Sequence, residues 1–479
     1  MIIKTLSPKR FAIALALTEA IVAFSGHAQD ISSLESPGAT SATARLVVVP
    51  ALPPILSRRL KLELGLQDIA TAALVSSANT VEPNSLSSAT QRAGAARPPR
   101  IPPAAHDGAA IRQRYFVTDL GTLGGTESFA SSVNDKGDVV GLARLAGDTS
   151  THSFLYRNGR MTDLNSSNSG SVETFGATAI NNAGEIAGGA VVDGIFSPAI
   201  LDSRSGQLTL LGSLGGVTPF GFSGSALAIS NHGDAVGYSY TDAINRHAFL
   251  YFNGRMTDIG SFGGYSVAAA VNDRGTIVGL SSATVAGRAQ AFVHDRGGMR
   301  NIDPFGSAGE SYARGINNLG DVVGQFLIAD QTAHHAFLYK EDVFHDIGFS
   351  GSPETVAFAI NDEGRVVGAT LVPYEDVCFD PSQGKDAVCT KYAEHAFVYE
   401  DGRSADLNAL IPADFGWELA WAFDINRHGQ IVGYGSLNGS FRAFLLTPAK
   451  NGGQCKKGAW KGFGFKNKGE CIQFVDKDK

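Results

Sequence analysis

From Tyr115 onward, apolar and polar residues alternate in short runs that are separated by turns containing glycine. One ten-residue pattern, first seen as SVNDKGDVVG, occurs seven times, and successive copies are 47, 49, 42, 45, 44 and 65 residues apart. The anchor positions of the seven copies are Asn134, Asn181, Ser230, Asn272, Asn317, Asn361 and Asn426. A recurring period of this length indicates an array of one supersecondary unit.

The centre of the pattern resembles the beginning of a calcium loop, because Asp135, Gly137 and Asp138 lie close together. The carboxylates do not persist in the other copies, where Arg427 and Arg365 stand at the two acidic positions of two different repeats. The glycine is present in all seven copies. A tight hairpin needs a residue that tolerates positive φ, preceded by Asn or Asp. The pattern therefore predicts turns between strands and not calcium sites.

The residues before each turn predict the innermost strand of a radial array. Alanine stands four residues before every anchor, and Val or Ile stands one residue before it. If the strand alternates regularly, positions −4 and −2 share a face. That face carries small residues in nearly every copy, so we expect another backbone to approach it closely.

Two further strands follow each turn. One has the form HAFLY, as at 247–251 and 335–339, and the other has the form TDLG, as at 118–121. Four strands in about 40–50 residues is the size of a β-propeller blade. The sequence therefore predicts an all-β fold with four-stranded blades.

The two ends of the array complement each other. Residues 115–121 form a fourth strand without the other three, whereas RAFLLTP at 442–448 is a third strand without a fourth. We expect the N-terminal strand to complete the last blade and close a seven-bladed β-propeller over 115–449. Closure removes two exposed sheet edges, and an open solenoid would leave the missing strand unexplained.

Three segments flank or precede the array. Residues 1–28 predict a signal peptide, with Lys4, Lys9 and Arg10 before an apolar run and cleavage after Ala28. A membrane anchor is the alternative, but the run is shorter than the ~20 residues that a spanning helix needs. Residues 29–114 are an Ala-, Ser- and Pro-rich spacer that we expect to be disordered. Residues 450–479 form a basic, aromatic tail bracketed by cysteines.

Composition and cysteine usage add few constraints. The net charge of −7 gives no indication of nucleic-acid binding, and no later segment predicts an integral membrane span. Export would place the cysteines in an oxidising compartment. The simplest of three connectivities pairs Cys378 with Cys389 and Cys455 with Cys471. Zinc is the alternative, but the tight ligand spacing of a structural zinc site is missing.

The linked motifs HAFLY, TDLGTLGG at 118–125 and AINDEGRVVG at 359–368 resemble the HAF-repeat family of bacterial proteins predicted to be extracellular. The resemblance covers about residues 115–447, and two blades depart from it with SPAILD and RAFLL. It implies export, to a secreted or periplasmic location, and a propeller-like fold. It implies no established activity, so no catalytic residue is carried over. The tail is similar to a short cysteine-bracketed ending of various bacterial secreted proteins.

The face opposite the anchor turns is the predicted ligand face. It carries the connections from strand four to strand one and from strand two to strand three, of which 370–394 in blade six is the longest. Variable loops on a rigid scaffold commonly carry function. The candidate ligand-binding residues are Tyr265, Tyr374, Asp376, Phe379, Trp417 and Trp421. The alternative is that these aromatic residues only pack against the protein.

The repeated histidines His152, His247, His335 and His395 suggest a metal, but equivalent positions on different blades are far apart in a ring. We expect a structural role for them, and neither a metal nor a cofactor. In the tail, basic and aromatic residues interleave, which suits an anionic polymer; a disulfide-tied hairpin that packs on the propeller is the alternative. The candidate attachment residues are Lys456, Lys457, Trp460, Lys461, Phe463 and Phe465.

Three functional hypotheses follow. The first is an exported, non-catalytic and monomeric binding or scaffold propeller that recognises a glycan or an envelope or extracellular protein. The second is a secreted enzyme acting on polysaccharide, which predicts acidic residues grouped at the axial mouth of the same face. The third is a structural envelope protein attached through its tail. The fold alone does not choose among them, and the sequence identifies no ligand.

Overall fold

The computed structural model describes residues 111–165, 172–219, 221–285, 287–304, 309–327, 333–349, 351–380, 385–456 and 458–476. The side chains of 172, 173, 378–380, 385–387 and 414 are outside this description. The predicted signal peptide and all of the predicted spacer except 111–114 also lie outside it, so both stay predictions.

The described chain forms seven antiparallel sheets of four strands each. Blades 1 to 3 contain β2 (Gly124–Val133), β3 (Val139–Leu145), β4 (Thr151–Arg157), β5 (Arg160–Asp163), β6 (Val172–Ile180), β7 (Glu185–Val192), β8 (Ile195–Asp202), β9 (Leu208–Leu210), β10 (Gly224–Ile229), β11 (Ala235–Tyr240), β12 (Arg246–Phe252) and β13 (Arg255–Asp258). Blades 4 to 6 contain β14 (Ser266–Val271), β15 (Ile277–Ser282), β16 (Ala289–Asp295), β17 (Gly298–Asn301), β18 (Glu310–Ile316), β19 (Val322–Leu327), β20 (His335–Lys340), β21 (Val343–Asp346), β22 (Thr355–Ile360), β23 (Val366–Asp380), β24 (Lys385–Glu400) and β25 (Arg403–Asp406). Blade 7 contains β26 (Trp417–Ile425), β27 (Ile431–Leu437), β28 (Ser440–Pro448) and β1 (Tyr115–Asp119).

The first strand closes the ring. Strand β1 pairs antiparallel with β28, in a register that runs from Tyr115 opposite Pro448 to Asp119 opposite Phe444. The seven-bladed β-propeller and its closure are therefore confirmed, with the closing strand two residues shorter than the predicted 115–121. Short 3₁₀ turns at Ala146–Asp148, Leu407–Leu410 and Ala413–Phe415 interrupt the strands.

The hydrophobic core lies between neighbouring blades. Between blades 3 and 4, for example, Val236 and Ala248 pack against Ala268, Ile277 and Phe292, all of them buried. Equivalent clusters fill the other six spaces. Removing this apolar surface from water stabilises each blade only through its neighbours, which explains why a single repeat would not fold alone.

The invariant glycine in the second strand of each blade allows two backbones to approach each other. A Cβ built at these glycines would lie 1.8–2.1 Å from a carbonyl oxygen of the first strand. The seven positions are Gly141, Gly188, Gly237, Gly279, Gly324, Gly368 and Gly433. In four blades the Phe of the third strand also covers this glycine, as Phe337 covers Gly324. No side chain larger than hydrogen fits there without moving the backbone.

The pairing between the first and second strands corrects the predicted face of the first strand. In every blade the pairing register shifts between positions −4 and −2, as between Ala226 and Ala228, so that −3 is an extra residue in a β-bulge. A bulge interrupts the alternation of side chains. Positions −4 and −2 therefore do not share a face, and the expectation based on regular alternation is wrong. A neighbouring backbone does approach one of these positions closely, because a Cβ at Gly315 would lie 2.9 Å from the carbonyl oxygen of Phe358 in blade 6.

Each anchor residue holds its own turn. The Oδ1 atom of Asn134 accepts hydrogen bonds from the backbone N–H groups of Lys136 (3.0 Å) and Asp138 (2.9 Å). The glycine of the turn has a φ between +73° and +97° in all seven copies, which an L-residue rarely adopts. The interpretation of these segments as turns between strands is confirmed.

The anchors also connect the blades around the ring. The Nδ2 atom of Asn134 donates to the carbonyl of Asn181 in the next blade (3.0 Å), and Asn426 donates to Asn134 across the closure (2.9 Å). Asn181, Asn272, Asn317 and Asn361 donate in the same way. Ser230 has no amide to donate. A second circle joins the following residues, in which a side-chain oxygen accepts the backbone N–H of the preceding blade, as Asn182 accepts from Asp135 (2.8 Å).

The tail is helical and packs on the closing strand. It contains a 3₁₀ turn (Gly452–Cys455) and two helices, α1 (Ala459–Gly462) and α2 (Lys468–Asp476), so the predicted hairpin is wrong. A disulfide joins Cys455 to Cys471, which confirms that pairing. Cys389 is also disulfide-bonded, but the side chain of Cys378 lies outside the described part, so the pairing of 378 with 389 stays a prediction.

Candidate functional site

The insertion in blade 6 is a long β-ribbon and not the loop that its composition suggested. Strands β23 and β24 pair without interruption from Val366 opposite Tyr399 to Asp380 opposite Lys385. The neighbouring strands β22 and β25 pair only with the first part of the ribbon, up to Thr370 and back from Phe397. The outer part therefore extends beyond the sheet as two strands, on the face opposite the anchor turns.

One face of the outer ribbon is exposed and mainly apolar, with the polar pair of Glu375 and Thr390 between two apolar pairs. Residues directly opposite each other in an antiparallel pair share a face, and Val377 lies opposite Val388 while Pro373 lies opposite Tyr392. Val377, Val388 and Tyr392 are 63%, 72% and 48% exposed. An exposed apolar patch on a folded chain commonly marks a binding surface. The sequence did not single out these residues, because Val377 meets Val388 only through the pairing of the two strands.

The other face of the ribbon carries two of the candidate residues. Tyr374 is exposed, and the carboxylate of Asp376 accepts hydrogen bonds from Lys391 Nζ (2.6 Å) and from the backbone N–H of Val377 (2.8 Å). The bond from Lys391, followed by that from Val377, holds the pKa of Asp376 below its usual value. The side chain of Phe379 lies outside the described residues. Tyr374 and Asp376 therefore share a surface, but not with the valines.

The candidates near the first strands lie at the base of the ribbon. Trp421 is only 1% exposed, donates its Nε1–H to Glu394 Oε2 (2.9 Å) and stacks on Phe358 at 5.4 Å. It therefore anchors the ribbon to blade 7 and does not present a surface to a ligand. Trp417 is half-buried and meets Phe444 edge-on at 6.2 Å.

Tyr265 is separate from this group, in blade 4. Its ring contacts the guanidinium of Arg246 at 5.7 Å, and burial raises its pKa. The structure therefore divides the six candidates between the ribbon, its base and another blade.

Three adjacent inner strands place their bulge residues in contact. Arg314 lies 5.4 Å over the ring of Phe358, and Phe358 lies 5.2 Å from Phe423. The Nε and Nη2 atoms of Arg314 both donate to Gln325 Oε1. Burial lowers the pKa of Arg314 to about 9. These contacts join blades 5, 6 and 7 beneath the ribbon.

Acidic side chains on the ligand face have structural partners. Glu127 contacts Arg144 (2.7 Å) and Glu354 contacts His334 (3.7 Å). Glu418 lies 3.9 Å from His395. These contacts, together with the bond from Trp421 to Glu394, give each of the four carboxylates a partner within the protein.

The repeated histidines bind aspartates within their own blades. The Nδ1 atom of His335 lies 2.9 Å from Asp346 Oδ2, and that of His395 lies 2.6 Å from Asp406 Oδ2. The pairs His152–Asp163 and His247–Asp258 have the same geometry. Their hydrogen bonds to aspartate raise the pKa of His335 and of His395. In blade 7, Arg442 takes this position and lies 3.9 Å from Asp119, across the closure.

These pairs link the two repeat motifs, because the histidine begins HAFLY and the aspartate belongs to TDLG.

Within the described residues, no group of three or more His, Cys, Asp or Glu side chains is arranged to hold a metal ion. The helices of the described part are all too short or too polar to cross a membrane.

The tail places its aromatic side chains against the propeller. Phe463 stacks on Phe116 of the closing strand at 4.0 Å, and Phe465 meets Phe116 edge-on at 6.1 Å. Trp460 is half-buried beside them. Lys456 and Lys461 remain exposed, while Lys457 lies outside the described residues. Of the tail candidates, the lysines therefore face solvent and the aromatic residues form the contact with β1.

Comparison with known proteins gives no family. The chain matches no protein-family model and no curated protein. Among solved structures, it is similar to a putative TolB from Agrobacterium tumefaciens, at 14% identity over 59% of this chain and 99% of the other, with a TM-score of 0.35. TolB from Acinetobacter baumannii gives 13% identity over 62% and 76%, with a TM-score of 0.33. An acylaminoacyl peptidase from Pyrococcus horikoshii gives 11% over 67% and 59%, with a TM-score of 0.31. Likenesses this weak carry no argument about function.

Proposed function

We propose that the chain is an exported, non-catalytic binding propeller of the HAF-repeat type, and that it recognises a partner protein through the ribbon of blade 6. The observation that carries the proposal is the exposed apolar face formed by Val377, Val388 and Tyr392. The disulfide between Cys455 and Cys471 supports an extracytoplasmic location, because disulfides persist in oxidising compartments.

The composition and edges of the ribbon favour a protein over a glycan. Sugar rings are commonly bound by aromatic platforms together with polar groups, whereas the two most exposed large apolar side chains here are valines. Beyond Thr370 and Phe397 the two ribbon strands pair only with each other, and the outer edge of each has no neighbouring strand in the sheet. Such an edge can pair with an extended segment of another protein through backbone hydrogen bonds. The apolar face would then supply the contact area.

Contacts at the base of the ribbon hold its exposed surface in a fixed orientation. Trp421 and Glu394 join it to blade 7, and the inner strands of blades 5 to 7 are packed beneath it. A surface held by a rigid scaffold loses little conformational entropy on binding. The ribbon therefore combines an accessible apolar face with a fixed orientation.

The experiment is a binding assay with the mature protein against fractionated envelope and extracellular proteins, beside a panel of polysaccharides. Val377→Ser with Val388→Ser should abolish saturable binding to a protein fraction. Leu319→Ser is the matched control, because Leu319 is 59% exposed on the opposite face. Binding to a polysaccharide alone, or equal loss in the control, would refute the proposal. A variant ending at Ala449 separates any contribution of the tail.

A further inference from the structure

A basic cleft lies on the anchor-turn face, away from the ribbon. It has a volume of about 810 Å³ and is formed by the segment before β1, the turns of blades 6 and 7, and the beginning of the tail. Five of its lining residues are cationic and one is acidic; they are Arg112, Arg114, Arg365, Arg427, Lys450 and Glu363. The chain as a whole carries a net charge of −7, so this concentration of positive charge is local.

The repeat pattern is broken at Arg427, which stands one position after the anchor of blade 7. The other six copies carry Asp or Asn there. In six neighbouring pairs, that side chain accepts the backbone N–H of the preceding blade, and Arg427 cannot accept the one from Asp362. Its Nε atom lies 3.3 Å from Asp135, while 64% of its side chain is exposed. Most of the guanidinium group is therefore accessible from the cleft.

Arg365 stands at the fourth position after the anchor, where five of the other six copies carry an acidic or amide residue and blade 4 carries Thr276. In four blades an acidic or amide side chain there accepts the anchor's Nδ2–H, as Asp321 accepts from Asn317 (3.1 Å). Arg365 cannot do so, and Glu363 accepts from Asn361 instead (3.0 Å). The Nε atom of Arg365 donates to Glu400 (2.8 Å). A Cβ at Gly429 would lie 3.0 Å from its Nη1 atom, so the guanidinium extends to the turn of blade 7.

The two departures meet in space although they belong to different repeats. Arg427 replaces an acceptor between blades and Arg365 an acceptor within its own turn, and both residues line the same cleft. Arg365 pairs with Glu400, whereas the side chain of Arg427 is largely exposed. Arg112 and Lys450 add exposed cations from the two ends of the propeller. The cleft is therefore formed only when the ring is closed.

We propose that this cleft binds a ligand with several phosphate groups. Guanidinium groups bind phosphate through paired, charge-assisted hydrogen bonds, and the volume and number of cations suit more than one anionic group. The site is distinct from the ribbon, so it does not depend on the function proposed above.

The test is a calorimetric titration of the mature protein with inorganic tripolyphosphate, with monophosphate and citrate as comparisons. We expect saturable binding of one tripolyphosphate, weaker binding of the other two anions, and weakening at high salt. The variant Arg112→Gln with Arg427→Asn should bind roughly tenfold more weakly. Arg427→Asn gives blade 7 a residue type that other repeats carry at this position, so the fold should be kept, and a thermal melt checks this.

The matched control is Arg160→Gln with Arg255→Gln, which removes two exposed arginines from the outer hairpins of blades 1 and 3. It should bind within about twofold of the unaltered protein, since distant surface charges contribute little. Equal loss in both variants would mean diffuse attraction and would overturn the site. Absence of saturable binding would overturn it as well, and tighter binding of citrate would overturn the phosphate class.

Discussion

Blades 5 and 6 are the same unit with different additions at their two ends. Both contain an anchor asparagine, a buried phenylalanine over a strand glycine and a His–Asp pair. In blade 5 only seven residues separate Leu327 of the second strand from His335 of the third, whereas in blade 6 the second strand continues to Asp380 as the ribbon. In blade 5 the anchor bonds to Asp321, whereas blade 6 has Arg365 at that position. The comparison separates the scaffold, which the repeats share, from the additions, which we propose carry function.

The largest loss of stability is expected from replacing the glycine in the second strand that both blades share. Gly324→Ala and Gly368→Ala would each place a Cβ about 2 Å from a backbone oxygen, and each should lower the free energy of unfolding by about 3 kcal/mol. Urea denaturation measures this. Gly176→Ala is the control, because its Cβ would meet nothing closer than 3.8 Å. Equal stability of Gly324→Ala and the unaltered protein would contradict the close backbone approach.

The next largest loss of stability is expected from breaking the hydrogen bonds that connect the anchor residues of neighbouring blades. Asn317→Ala removes the bond to Asn361 of blade 6 and three bonds within its own turn, so we expect a loss of about 2 kcal/mol in the free energy of unfolding, measured by urea denaturation. The reverse change is available in blade 3, where Ser230→Asn should add the missing bond and stabilise by about 0.5–1 kcal/mol. If Ser230→Asn destabilised the protein, the anchors would not act as a ring.

A smaller effect concerns pH. The pKa values of His335 and His395 are raised by hydrogen bonds to aspartate. The stabilisation is therefore fully present below the unfolded value of about 6.5 and is lost as the pH rises through the folded pKa. The melting temperature should fall over this range, and less so in His335→Gln with His395→Gln. Blade 4 already carries Gln290 at this position. Identical pH profiles would show that the pairs do not contribute.

The smallest effect on stability is expected from Arg427→Asn. The change loses an exposed contact with Asp135 and gains an acceptor for the backbone of Asp362. The free energy of unfolding should stay within about 0.5 kcal/mol, as measured by urea denaturation. A large loss would mean that Arg427 is part of the scaffold and not an addition to it.

The sequence was sufficient for the scaffold because each element repeats. Seven copies of one turn, with a glycine that never changes, distinguished a structural role from calcium binding, and the incomplete ends predicted the closure. The β-bulge was missed because no residue type marks it: position −3 holds Ser, Thr, Leu, Ala, Arg or Phe in different blades. Regular alternation was assumed where the chain contains one extra residue.

The candidate sites were less predictable because their parts are distant in sequence. Trp421 is buried by Glu394 and Phe358, which come from another blade. The cleft needs Arg112, Arg427 and Lys450 to be brought together by closure. The insertion was expected to be a loop because it is the longest connection between the second and third strands, yet its residues continue the pairing of those two strands. Each of these features depends on contacts between blades, which a single repeat does not contain.

The most direct test of the separation between scaffold and function is a binding isotherm of a ribbon-shortened protein. Residues 372–393 would be replaced by Asn-Gly, which closes a two-residue hairpin and keeps the pair of Leu371 and Glu394. The isotherm is measured against the protein fraction that binds the intact chain. We expect binding to be lost while the melting temperature stays nearly unchanged. Undiminished binding by the shortened protein would refute the role proposed for the ribbon.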